Sequence, residues 1–300
     1  MNYFVTLQRN DKYSQNQYPV GTRGTGAGRA VCAEHTDMMD NRQKRLIIRI
    51  SKGRLSFATT DGGDVLYEDY ALNSSISMAA NLREALRTLP LLSDDFERVL
   101  VMVDTPTLMV PTSLFTEEES EALYHHAFTD VEQQQVMHAV LPDLNAVALF
   151  SIQKDLRNVI ADNFSDLRYT AAVAPVWRHL HQRSYTGQHQ KLYGYFHDRR
   201  MEVFSFSQNR FKFCNTFAVN NPNDALYYLL AVWKQLNMDA EHDELHLVGN
   251  ITERDQLLEE AQKFVKRVFY INPSGEFNRA PVTQIKDMPY DMMTLFVKGR

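Results

Sequence analysis

Residues 45–73 and 191–219 carry one pattern twice, at a constant offset of 146 positions, the distance from Arg45 to Lys191. Each copy reads as a short apolar strand, a polar turn, a second strand, another turn and a third strand, with an amphipathic helix after it. Such a repeat calls for two similar lobes. At about 100 to 200 residues per domain, a chain of 300 residues has room for both.

In the first copy, Arg45 to Ile50 is the first strand, Ser51 to Gly53 its turn, and Leu55 and Phe57 alternate in the second strand. Asp61, Gly62 and Gly63 form a turn in which glycine supplies positive φ, and Val65 to Leu72 is the third strand. Met78, Leu82, Ala85, Leu86 and Leu89 recur at helical spacing, and Val99 to Val103 is a buried-type fourth strand. The second copy sets out Leu192 to Phe196, a turn His197 to Arg200, Met201 to Phe206, a turn Ser207 to Arg210, and Phe211 to Val219. Its helix carries Leu226, Leu230, Trp233 and Leu236, and its fourth strand is Leu245 to Val248. The order is mixed α/β: the meander is antiparallel, and the helical crossover returns the fourth strand parallel to the first.

Between the copies the pattern predicts a helix over 117–128 opened by a capping box of Thr116 and Glu119, then strands near 136–141 and 147–152. A helix with Leu156, Val159, Ile160 and Phe164 and a strand over 167–173 follow, and Pro175 to Gln182 reads as the helix joining the lobes. Thr252 and Asp255 pair as a second cap for a helix with Leu258, Ala261 and Val265, and Val268 to Ile271 is a strand. The expected division is a flexible extension over 1–44, a first lobe over 45–174, and a second lobe with the connecting helix over 175–300.

The extension is rich in Asn, Gln, Gly and Thr and lacks apolar periodicity; Met38 or Met39 is a candidate alternative start. Gly21, Gly24, Gly26 and Gly28 do not make a phosphate loop, because Ala27 stands where lysine is needed and no helical pattern follows. With 44% hydrophobic and 23% charged residues and a net charge of -5, the chain reads as soluble and globular, without the basic excess of nucleic-acid binding. Cys32 and Cys214 give no disulfide framework or Cys-x-x-Cys metal site. The most apolar stretch, Ala225 to Trp233, is far shorter than the roughly 20 residues of a membrane span, so the expected location is cytoplasmic.

A doubled βββαβα unit joined by a helix resembles the actin-like ATPase fold, two ribonuclease-H-like lobes around a nucleotide cleft, over about residues 45–300. The middle segment is most similar to bacterial pilus-assembly and type II secretion members, in which a strand ending in proline leads into an acidic helix. Here that reads Leu108-Met109-Val110-Pro111, then Phe115-Thr116-Glu117-Glu118-Glu119. The chain also resembles an uncharacterised bacterial domain family of unknown function with this fold.

The resemblance implies an Asp-x-Gly-Thr/Ser turn in the first hairpin, where a carboxylate holds magnesium-bound water and glycine admits phosphate. This chain has Ser51-Lys52-Gly53-Arg54: the glycine stays and the carboxylate and hydroxyl are replaced. The second hairpin should repeat Asp-x-Gly and instead reads His197-Asp198-Arg199-Arg200; the adenosine-side Gly-Gly pair is reduced to Gly249-Asn250. The candidate cleft residues are therefore Ser51, Lys52, Gly53, Arg54, His197, Asp198, Arg199, Gly249 and Asn250, with no catalytic or metal-ligating residue assigned.

The expectation is a pseudo-ATPase that serves as a binding or assembly scaffold for another protein, with no cofactor. The alternative is an ATPase or sugar-kinase-like phosphotransferase using ATP and magnesium at a non-standard site, with Asp198 or Asp104 in the magnesium role. Nuclease chemistry needs three carboxylates; Glu84 with Asp104, or Asp198 with Asp224, leaves each set incomplete. Lys52, Arg54, Arg199 and Arg200 fall in equivalent turns and suit either solvated hairpins or an anion site. His125-His126, His179-x-His181 and His242 with His246 read as ordinary histidines before a metal set, and Met288, Met292 and Met293 as core before a docking stripe.

Overall fold

Leu46, Ile47, Ile48 and Ile50 stiffen the backbone into strand β1 (Arg45–Ile50) and bury both of its faces. In the computed structural model, which describes residues 44–61, 63–129, 133–185 and 187–297, β1 is the middle strand of a five-stranded sheet. β2 (Arg54–Asp61) and β3 (Asp64–Ala71) follow as an antiparallel meander, α1 (Met78–Thr88) crosses over, and β4 (Arg98–Val103) returns parallel to β1. Next come β5 (Leu108–Pro111), α2 (Ser120–Ala127), β6 (Gln134–Leu141) and β7 (Ala146–Gln153), whose strands form a separate sheet in the order β5-β7-β6. α3 (Lys154–Asn163) and β8 (Leu167–Ala171) complete the first sheet as β3-β2-β1-β4-β8.

α4 (Ala174–Ser184) leads into β9 (Lys191–His197), β10 (Arg200–Ser207), β11 (Arg210–Ala218), α5 (Pro222–Gln235), β12 (Glu244–Gly249), α6 (Arg254–Gln262) and β13 (Arg267–Tyr270). Their order, β11-β10-β9-β12-β13, is the first sheet again, without the inserted three-stranded sheet. The repeat holds at single hydrogen bonds. Thr59 Oγ1 donates to the Arg45 carbonyl at 3.0 Å, and Ser205 Oγ donates to the Lys191 carbonyl at 2.8 Å. The Asp104 amide reaches the Ile50 carbonyl at 2.8 Å, and the Asn250 amide reaches Phe196 at 2.9 Å.

α7 (Pro273–Glu276) and α8 (Tyr290–Phe296) end the described chain. Met288, Met292 and Met293 lie in the apolar core with β1, β4 and α4, so the methionine stripe is core packing. Trp177 of α4 meets Phe211 of β11 edge-on at 5.1 Å, which ties the connecting helix to the second sheet. No helix of the described residues is long and apolar enough to cross a membrane. Of the expected extension over 1–44, residues 1–43, with their glycines, Cys32, Met38 and Met39, lie outside the described residues, as does Gly62 of the expected first-hairpin turn.

Three local expectations are corrected. α2 begins at Ser120 instead of 117, and Thr116 Oγ1 bonds the Glu119 carboxylate at 3.0 Å in place of a backbone N–H, so no capping box forms. α6 begins at Arg254 behind Glu253 in the left-handed region (φ 51), and Asp255 is drawn to Arg254 at 2.8 Å instead of pairing with Thr252. β9 runs through His197, so the hairpin turn is only Asp198–Arg199, both with positive φ (43 and 58). That two-residue turn matches the twist of the paired strands, at the cost of holding Arg199 where glycine would sit unstrained.

Gly249 (φ 97) packs so closely on β9 that a Cβ would lie 2.2 Å from the Phe196 carbonyl oxygen, whereas a Cβ on Gly53 would meet nothing. Gly249→Ala is expected to cost about 3 kcal/mol or more by urea denaturation, and Gly53→Ala about 0.5 kcal/mol or less.

Candidate functional site at the junction of the lobes

Arg49 is the buried charged residue of β1, its side chain 2% exposed, whereas Arg45 at the strand's start is exposed. Removing a guanidinium from water costs several kcal/mol unless carboxylates surround it. The fold supplies three. Asp291 of α8, wholly buried, takes Nε through both carboxylate oxygens at 2.9 and 2.8 Å. Asp198 in the β9–β10 turn lies 3.3 Å from an Arg49 terminal nitrogen, and Asp104, just after β4, lies at 3.8 Å. Although burial works against its charge, these carboxylates hold Arg49 protonated beyond its ordinary range.

Tyr195 occupies in the second lobe the position that Arg49 occupies in the first. Its hydroxyl donates to Asp291 Oδ2 at 3.1 Å, so equivalent positions of the two lobes converge on one carboxylate from the C-terminal helix. Burial first, then the Asp291 charge, pushes the Tyr195 phenol well up. Its ring stacks on His197 at 4.6 Å.

His197 fills the strand end where the resemblance implies a carboxylate. It sits 3.5 Å from Asp104 through Nδ1 and 3.5 Å from Glu202 through Nε2, with Asp198 at 4.0 Å. Burial would discharge the imidazole, but Asp104, Asp198 and Glu202 outweigh it and raise its pKa well above 6.5. Asp104 in turn pairs with Arg200, and despite burial the His197, Arg200 and Arg49 charges hold its carboxyl far below the usual range.

Of the residues singled out in the sequence, His197 and Asp198 meet here, and Asp104 and Arg200 join them. Ser51 is buried and donates to the Arg54 carbonyl at 3.2 Å, while Lys52 and Gly53 are exposed. Arg54 turns to Asp69 at 3.0 Å and the Asp287 carbonyl at 3.4 Å, so both it and Arg200 are engaged by carboxylates of the chain itself. Arg199 and Asn250 are exposed, and the glycine at 249 is required by the Phe196 backbone. Glu84 of α1 and Asp224 of α5 stand apart from the cluster. The paired histidines go elsewhere: His181 to the Gln208 carbonyl, His246 to Glu244, His242 to Asp239, His179 to Glu276 and His125 beside Glu121, with His126 exposed.

Sequence reading missed Arg49, Tyr195, Glu202 and Asp291. The signal for Arg49 was a lone charge inside Leu-Ile-Ile-Arg-Ile; the others are identified only by their contacts. Asp104, His197 and Asp198 each offer a ligand atom within 4.8 Å of the others, a spacing a divalent ion could bridge. The charges do not fit magnesium and ATP. Arg49 and Arg200 already face these two carboxylates, so a magnesium ion would meet two guanidinium cations.

Arg49→Met is expected to lose about 3 to 5 kcal/mol in urea denaturation, because it leaves the Asp291 charge buried without a cation, and the double variant with Asp291→Asn should recover part of that loss. His197 has a raised folded pKa, so its stabilisation is complete below the ordinary value of 6.5 and is lost as the pH climbs through the folded value. The stability advantage of the wild type over His197→Gln, followed by urea denaturation across a pH series, should therefore shrink as the pH rises above 6.5 toward the raised folded value.

A protein from Bacteroides thetaiotaomicron with actin-like ATPase fold and unknown function is 27% identical and superposes with a TM-score of 0.75 over 89% of this chain and 100% of that one. PilM, in the PilM–PilN type IV pilus biogenesis complex, is 11% identical with a TM-score of 0.51 over 84% of this chain and 97% of its own. The cytoplasmic domain of EpsL, from the type II secretion system of Vibrio cholerae, is 12% identical with a TM-score of 0.37 over 68% and 81% of the two chains. Comparison with curated proteins gives no match. The fold is thus the actin-like ATPase fold, and, with residues 33–268 matching the family described as protein of unknown function (DUF3822), the chain belongs to that family.

Proposed function

We propose that the chain is a bacterial, cytoplasmic pseudo-ATPase: a binding or assembly module of actin-like fold in which internal ion pairs occupy the place of nucleotide chemistry. The observation that carries this reading is the cluster of Arg49, Arg200 and His197 against Asp104, Asp198 and Asp291. Phosphate transfer needs cationic groups turned toward the nucleotide and a carboxylate left for magnesium. In this chain the cations are turned onto the carboxylates. Such a cluster stabilises one arrangement of the lobes, which suits a rigid platform for another protein better than a cleft that opens and closes on substrate. The PilM relative, solved with PilN, is the precedent for a protein partner.

A second reading, a metal-dependent ATPase or sugar-kinase-like phosphotransferase, draws on the three ligand atoms of Asp104, His197 and Asp198 within 4.8 Å. Titration of the full chain with magnesium and ATP separates the two. Ligand at about 100 times its Kd would add about 2.7 kcal/mol of stability, a readily measured rise in Tm. The scaffold reading expects no heat of binding, no rise in Tm and no phosphate release. A magnesium-dependent rise that Asp198→Ala abolishes would overturn it in favour of the second.

A further inference from the structure

Away from the junction of the lobes, the sheet of the first lobe gathers three arginines at the strand starts. Arg45 opens β1 and Arg98 opens β4, and the two are direct partners in the parallel ladder. Arg168 of β8 is partnered with Leu100, two residues on from Arg98, so all three belong to one face of the sheet. They line a hollow of about 130 Å³ with Val99, Leu100 and Asp166. At roughly 30 Å³ per water that is about four water volumes, room for one tetrahedral oxyanion.

The charges around this hollow are unbalanced. Asp166 is its one carboxylate, 3.7 Å from Arg98 Nε. Among the described residues, Arg45 and Arg168 have no carboxylate partner. Burial, then the Arg168 and Arg98 charges, pushes the Arg45 guanidinium below its ordinary range. The backbone beneath is fixed, with the Val99 amide on the Asp166 carbonyl at 2.9 Å and the Glu97 amide on the Lys44 carbonyl at 3.3 Å. All three arginines are exposed, so water and salt screen their mutual repulsion in part; an anion among them would offset the remainder, and guanidinium forks match phosphate oxygens in pairs.

We propose that Arg45, Arg98 and Arg168 form a binding site for a phosphate-class oxyanion, either free phosphate or the terminal phosphate of a small phosphomonoester, independent of the cleft between the lobes. The site takes its charge from three strands and does not involve any cleft residue.

Isothermal titration of the full chain with inorganic phosphate, and separately with phosphoserine, against sodium chloride of equal ionic strength tests this. Saturable binding to one site is expected, weakened about tenfold or more by Arg45→Gln and by Arg168→Gln. Both variants should be at least as stable as the wild type without phosphate, since each removes one of three like charges. Phosphate alone binding identifies a free-anion site; phosphoserine binding equally well identifies a phosphomonoester site. No heat beyond that of chloride, or an affinity unchanged in both variants, would overturn the proposal. So would a loss of binding that follows Lys52→Gln or Arg199→Gln instead, which would place the anion in the cleft.

Discussion

The pairing of Arg49 with Asp291 is the contact on which the junction of the lobes depends. A guanidinium in the interior of an apolar strand is tolerable only when carboxylates come to it, and these come from three separate parts of the chain: the end of β4, the β9–β10 turn and helix α8. One buried charge therefore fixes the first sheet, the second sheet and the C-terminal helix against one another. The apolar core shared by β1, β9, α4 and α8 supplies most of the burial; the ion pairs select the arrangement of those surfaces that brings the Asp104, Asp198 and Asp291 carboxylates to the buried guanidinium.

The repeat gives this cluster its asymmetry. Equivalent positions hold Arg49 and Tyr195, Ser51 and His197, Asp104 and Asn250, on backbones that share hydrogen bonds down to single amides. The two sheets share their strand order because strands and crossovers of the same pattern close it in the same way. The strand ends differ: the first lobe presents a cation and a carboxylate, and the second a phenol and an imidazole. Two copies of one unit thus meet as complementary surfaces around Asp291, which belongs to neither repeated segment.

Much of the fold was legible because it is written in periodicities. Val99 to Val103 declares a buried strand and Met78 to Leu89 a helix whatever lies around them, and the offset between Arg45 and Lys191 announces a second lobe. Local end signals were less dependable. Thr116 and Glu119 have the spacing of a capping box, yet the hydroxyl chose the carboxylate, and Asp255 chose Arg254 over a cap; each side chain had two competing local partners, and spacing does not rank them. Half of the junction cluster was visible for a similar reason. His197 and Asp198 stand where motif residues were expected, whereas Asp291 sits in a tail with no motif, more than two hundred positions from its partner.

By itself the sequence determined the two lobes, the order of strands and helices along them and the residue types that stand in both hairpin turns, because these follow from residue type and spacing along the chain. Tertiary structure alone decided which distant groups those turns meet. Whether a buried charge is costly or stabilising depends on which distant groups reach it and at what distance, and that depends on the folded chain as a whole. Arg49 in the sequence is an exception in an apolar strand; in the fold it is the centre toward which Asp104, Asp198 and Asp291 point.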